Sequence, residues 1–153
     1  MLALAGLALT PAVRAAAVCS VSAVGPAFGV YSPLNASPTL SNGSVTATCN
    51  YVSGGPTTVA LVSSYSTGSS GRYSPRTMRS GANLLNYNLY YDAAFTQIRG
   101  DGTGGTQTGG ATLVVSSSSP TATTSSVIYG RIPAGQNAVP GSYLDTITVT
   151  ITY

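Results

Sequence analysis

The sequence predicts an all-β protein folded as an antiparallel β-sandwich. Three observations predict it. Short runs of β-branched and aromatic residues alternate with polar ones at a period of two. Pieces rich in Gly, Ser and Pro separate these runs. No segment holds a helical period over a useful length, and "DAAFTQI" is expected to form one helical turn at most.

The elements follow in order. "AVCSVSA" is the first strand-like run, and "SVTATC" places Val45, Ala47 and Cys49 on one face with Thr46 and Thr48 on the other. "TTVALVSS" is the third. "LLNYNLYY" sets Leu85, Tyr87, Leu89 and Tyr91 inward against Asn86, Asn88 and Tyr90. "ATLVVS", "SSVIYGRI" and the closing "TITVTITY" bring the count to about seven, as befits a sandwich. The turns are "SGGP", "STGSSG", "GDGTGGTQTGG", "SSSSPTATTSS" and "PAGQNAVPGS". A length of 153 residues suits one domain, and 43% apolar residues allow a core.

Composition narrows the function. The charged residues are six Arg and three Asp, only 6% of the chain, with no Lys, Glu or His. No basic run is present, so no nucleic-acid partner is expected. A Ser nucleophile would lack its usual base, and Asp92, Asp101 and Asp145 stand far apart in sequence. The chain is therefore expected not to be an enzyme and to need no cofactor or metal. The Gly-rich "GDGTGGTQTGG" lacks the lysine of a phosphate loop and the carboxylates of a calcium loop, and reads as a hairpin connection. Asn35 and Asn42 begin N-x-S sequons, which matter only where the source glycosylates them. Tyr90 and Tyr91 are adjacent, so one of them must face outward.

The start reads as a targeting segment. "LALAGLAL" is a short apolar run closed by Pro11, and "VRAAA" offers small residues at a cleavage spacing. Residues 1–17 are expected to be a signal peptide, with cleavage after Ala15 or Ala17, and residues 18–153 the mature domain. The alternative is a buried N-terminal strand. The run is too short to span a bilayer, so no integral membrane protein is expected. Export would place Cys19 and Cys49 in oxidising conditions. A bond between them would close a loop of about 30 residues, worth roughly 3–4 kcal/mol; the alternative is two free buried thiols.

Several motifs together resemble the spore coat protein U domain family: "FGVYSPLNASP", "RTM", "LNYNLYYDAAFTQIRGDGTGGT" and "YGRIPAGQNAVPGSYLDTITVTITY". The resemblance covers the chain from about Cys19 to Tyr153. At one position it departs: Arg99 stands where an aromatic usually precedes Gly-Asp-Gly. The family includes subunits of archaic chaperone–usher pili. The resemblance thus implies an immunoglobulin-like sandwich, incomplete by one strand, that a donor strand completes. It implies as partners a periplasmic chaperone, an outer-membrane usher and neighbouring subunits, and a route through the periplasm to the cell surface. On this reading "TITVTITY" is one lip of a strand-acceptor groove, lined by Ile147, Val149, Ile151 and Tyr153. An unpaired apolar edge of that kind needs protection from aggregation. Few residues would precede Cys19 after cleavage, so the subunit is expected to accept a strand rather than donate one, as at a fibre tip. The competing readings are a tip adhesin or lectin-like binding domain, and a spore or cell coat protein outside any fibre.

Overall fold

A computed structural model describes residues 16–153; the expected leader falls almost wholly on residues outside these. Eight strands form: β1 (Ala16–Val24), β2 (Thr39–Ser53), β3 (Thr57–Tyr65), β4 (Arg76–Ser80), β5 (Asn83–Tyr90), β6 (Gly109–Val115), β7 (Thr121–Ile132) and β8 (Val149–Thr152). They make two antiparallel sheets, in the orders β1-β2-β7-β5-β4 and β6-β3-β8. Among the described residues the only helical element is a 3-10 turn, Gly68–Ser70.

The inward faces follow the period of two. Val45, Ala47 and Cys49 of β2 are buried, as are Val59, Leu61 and Tyr65 of β3 and Leu85, Tyr87 and Leu89 of β5. They form two adjoining clusters. One is centred on Tyr65, Met78, Tyr87, Leu89 and Ile128, the other on Ala47, Cys49, Val59, Leu61 and Val115. Ile151 packs against both. Across β1 and β2, Cys19 opposes Cys49 and the two are joined in a disulfide, with their Cα atoms 4.0 Å apart.

Several expectations are corrected. β4 was not expected, because its inward residues include an arginine: Arg76 and Met78 share the buried face. The stretch 121–126, read as a turn, is the first half of β7; its hydroxyls bond across to β2, Thr46 to Ser125 at 3.1 Å and Thr48 to Thr123 at 3.0 Å. Tyr91 is exposed rather than inward, and Asn88 is buried rather than outward, because its amide serves Arg76. Residues 92–98 stay within the single turn expected: Phe95 N–H donates to the Asp92 carbonyl at 3.1 Å, and the Asp92 carboxylate accepts the backbone N–H groups of Thr96 and Gln97 and folds the segment into a tight loop. The closing run is a strand only over Val149–Thr152. Its neighbour β3 ends at Tyr65 and turns into the 3-10 segment, so residues 145–148 have no ladder to join.

Two buried guanidinium groups organise the far end of the core. Arg76 is 0% and Arg99 1% exposed. Arg76 donates to Asn88 Oδ1 at 2.7 Å, to the Ser66 carbonyl at 2.9 Å and to the Arg99 carbonyl at 2.7 Å. Arg99 donates to the Tyr65 hydroxyl, Ser126 Oγ and the Val127 carbonyl, and lies between the Tyr65 and Tyr91 rings at 5.1 and 4.7 Å. Carbonyls, hydroxyls and ring faces thus take the place of a carboxylate partner. Arg99, the departure from the family pattern, is thus held by these three hydrogen bonds and two aromatic rings.

Candidate functional site: an open trough between two edge strands

The site is a gap in the sandwich wall, and backbone direction defines it. The close approach of Cys19 and Cys49 marks a pair that exchanges no backbone hydrogen bonds. The Cys19 N–H therefore points away from β2, and it meets the Tyr153 hydroxyl at 3.4 Å. The same alternation turns the backbone groups of Val21 and Ala23 outward. On the other side, Ser66 N–H donates to the Thr148 carbonyl, so Val149 and Ile151 turn theirs away from β3. Neither β1 nor β8 has a second neighbour among the described residues. Two rows of free backbone donors and acceptors thus flank the gap.

The side chains give the gap its chemistry. Val21 and Ala23 share the inward face of Cys19, yet Val21 is 43% exposed and Ala23 is exposed as well. Their counterparts on β2, Ala47 and Val45, are buried. The interior is therefore open along this half of β1. The opening is a trough of about 320 Å³, with Ala23 and Val24 on one side, Ile147 and Val149 on the other, and Tyr65, Leu89 and Ile128 as its floor. It shares Pro26, Phe28, Met78 and Asp145 with a cavity of about 910 Å³ at the end of the sandwich. Phe28 stacks edge-on against Tyr87 at 6.1 Å and sits over Gly130, where a Cβ would come within 2.7 Å of its ring. Gly130 thus leaves room for the chain to cross the sheet's inner face.

Polar groups frame the open end. Tyr87 donates to Asp145 Oδ2 at 2.6 Å, and Asp145 Oδ1 accepts the backbone N–H groups of Ser69 and Thr146 at 2.9 Å each. Burial, with the Asp145 hydrogen bond behind it, pushes the Tyr87 hydroxyl well above its ordinary range. Gly68 has a φ of 67 degrees beside this carboxylate, and a Cβ there would collide with it.

The four residues named from the sequence are placed differently from one another. Ile147 and Val149 line the trough, and Ile151 lies deeper, between the two core clusters. Tyr153 is 58% exposed, and its hydroxyl bridges to β1 at the trough's other end. Sequence reasoning missed the opposite lip, Val21, Ala23 and Val24. Their signal was available, since Val21 and Ala23 keep step with Cys19. Among the described residues no three of His, Cys, Asp and Glu come together, and no helix is long and apolar enough to cross a membrane.

Two antiparallel sheets around a disulfide-tied edge strand, with the interior open beside it, place the chain among the immunoglobulin-like β-sandwiches. Within that class it belongs to the Spore Coat Protein U domain family, whose profile matches residues 5–150. That match begins inside the segment read as a leader. Among solved structures the chain is similar to the CsuC–CsuE chaperone–tip adhesion subunit pre-assembly complex from archaic chaperone–usher Csu pili of Acinetobacter baumannii. The identity is 18% and the TM-score 0.57, over 90% of this chain and 40% of that one. At this identity the likeness is one of fold. Among curated proteins none matches the chain.

Proposed function

We propose that the chain is a structural subunit of an exported surface fibre, and that its trough accepts an extended strand from another molecule. One observation carries the reading: Val21 and Ala23 face the interior but stay exposed, opposite the unpaired edge of β8. An incoming strand would satisfy both rows of backbone groups and set alternate apolar side chains over Tyr65, Leu89 and Ile128. The partners of such a subunit are a periplasmic chaperone, an outer-membrane usher and neighbouring subunits. The family and the fold of the Csu neighbour support this assignment, and with it passage through the periplasm to the cell surface.

The test is capture of a peptide that alternates valine with threonine and matches the nine residues of β1. The expected result is saturable binding with a rise in melting temperature. Val21→Asp places a charge on the lip, where the free protein leaves it partly in water, and should abolish capture while the fold persists. Absence of binding to the unsubstituted protein would overturn the reading. Co-purification from periplasm asks separately whether a chaperone accompanies the chain.

A further inference from the structure

A second opening into the core lies at the other edge of the three-stranded sheet, between β6 and β7. It is a crevice of about 150 Å³ that shares no lining residue with the trough or the end cavity. Val45, Ala47, Leu61 and Ile151 give it an apolar interior. Ser63, Ser126, Tyr91 and Gly109 also line it, and each of these four lies against Arg99 or beside its neighbours. Arg99 donates to Ser126 Oγ at 2.6 Å, and its guanidinium lies 4.7 Å from the Tyr91 ring. A Cβ on Gly109 would stand 3.4 Å from Arg99 Nη1 and collide with Ser63 Oγ. A strand glycine of this kind often marks the close approach of another group. Here it leaves only a thin wall between the crevice and the guanidinium.

Arg99 is 1% exposed, and among the described residues one of its N–H groups is spare. A guanidinium carries five. Nε donates to the Tyr90 carbonyl at 3.3 Å, and Nη2 to Ser126 Oγ and the Val127 carbonyl at 2.6 Å each. Nη1 donates once, to the Tyr65 hydroxyl at 3.0 Å. The spare N–H is therefore on Nη1, the Arg99 atom closest to a Cβ at Gly109. None of these partners carries a negative charge. A buried cation held only by dipoles gains from an anion that can reach it.

We propose that this crevice binds a small alkyl carboxylate. The carboxylate accepts the spare Nη1–H of Arg99 and the Ser63 hydroxyl proton, and the alkyl end lies against Leu61 and Ile151. The apolar interior sets the class: an inorganic anion leaves it uncovered, and an alcohol of the same shape leaves the charge unmet. The volume restricts the ligand to a few non-hydrogen atoms. The site is independent of strand capture in the trough.

Isothermal titration calorimetry of the purified chain with sodium butyrate at neutral pH and constant ionic strength tests this. Saturable binding at one site is expected, with no displacement by n-butanol or by chloride at the same concentration. Ser63→Ala removes one of the two donors and should weaken binding about tenfold. Gly109→Ala fills the thin wall and should abolish binding, with circular dichroism as the check on its fold; Ser63→Ala, which only deletes a hydroxyl, decides the matter if Gly109→Ala does not fold. Absence of saturable binding by the unsubstituted chain, equal displacement by chloride or butanol, or undiminished binding in Ser63→Ala would each overturn the proposal.

Discussion

The residues at the trough divide into those the fold needs and those it leaves spare. Ile151 bridges both core clusters, so Ile151→Asp would bury a charge and cost several kcal/mol, on the order of the whole margin of a small domain. Val21→Asp should leave urea unfolding almost unchanged, within about 1 kcal/mol, while removing peptide capture; a large loss of stability would mean that Val21 is already covered. Arg99 belongs to the first group. Arg99→Ala strips the Tyr65 hydroxyl, Ser126 and the Val127 carbonyl of their donor and should cost on the order of 3 kcal/mol. Tyr87 makes the pH prediction. Its folded pKa lies above the unfolded value of 10.0, so between the two the unfolded chain binds fewer protons than the native one and stability falls. Melting temperature should therefore decline from about pH 10 upward, and more gently in Tyr87→Phe. Equal slopes would show that Tyr87 ionises as freely in the fold as outside it.

At the scale of the element, β1 is the strand whose attachment matters most. It pairs with β2 alone, and the Cys19–Cys49 bond fastens it there. Ala17 packs against the second cluster, so processing after Ala15 keeps that contact whereas processing after Ala17 would remove it. The mature chain is thus expected to begin at Ala16, which the intact mass of exported protein decides. Denatured, unreduced protein should show no reactive thiol. Reduction should free β1 and abolish peptide capture before it unfolds the rest. Legibility also divides by element. β2 and β3 were readable because their burial follows a local period of two, and β5 in part, since Asn88 breaks that period to serve Arg76. β4 was not, since an inward Arg76 becomes tolerable only through Asn88 and two carbonyls from elsewhere in the chain. The start of β7 was not, since its Ser and Thr residues resemble a linker until β2 lies beside them. Of the trough, one lip was legible as an amphipathic run. The other was legible as far as Val21 and Ala23 keep step with Cys19; that they stay exposed depends on where β8 stops relative to β1, which no local pattern encodes.

At the scale of the whole molecule, the trough has a direction. Cys19 meets Tyr153, while Ala23 and Val24 share the gap with Ile147 and Val149, so β1 and β8 run antiparallel across it. Any strand laid between them must be antiparallel to one lip and parallel to the other. Antiparallel pairing is slightly the more stable per residue and can be joined by a two-residue turn. A strand fused directly after Tyr153 through an Asn-Gly turn would run antiparallel to β8 and parallel to β1. To enter, it must displace the Tyr153 hydroxyl from Cys19, a weak contact at 3.4 Å. In return it covers Val21, Ala23, Ile147 and Val149. Full burial of such side chains is worth roughly 1.5–3 kcal/mol each, and here part of that burial already exists. A net gain of about 3–5 kcal/mol is expected, which corresponds to a rise of roughly 10 °C or more in melting temperature for a domain of this size. The same fusion carrying Val21→Asp should show little of the rise, because the charge would then be sealed beneath the new strand. A fused chain that melts with the unfused one would mean that the gap between β1 and β8 is already closed in solution.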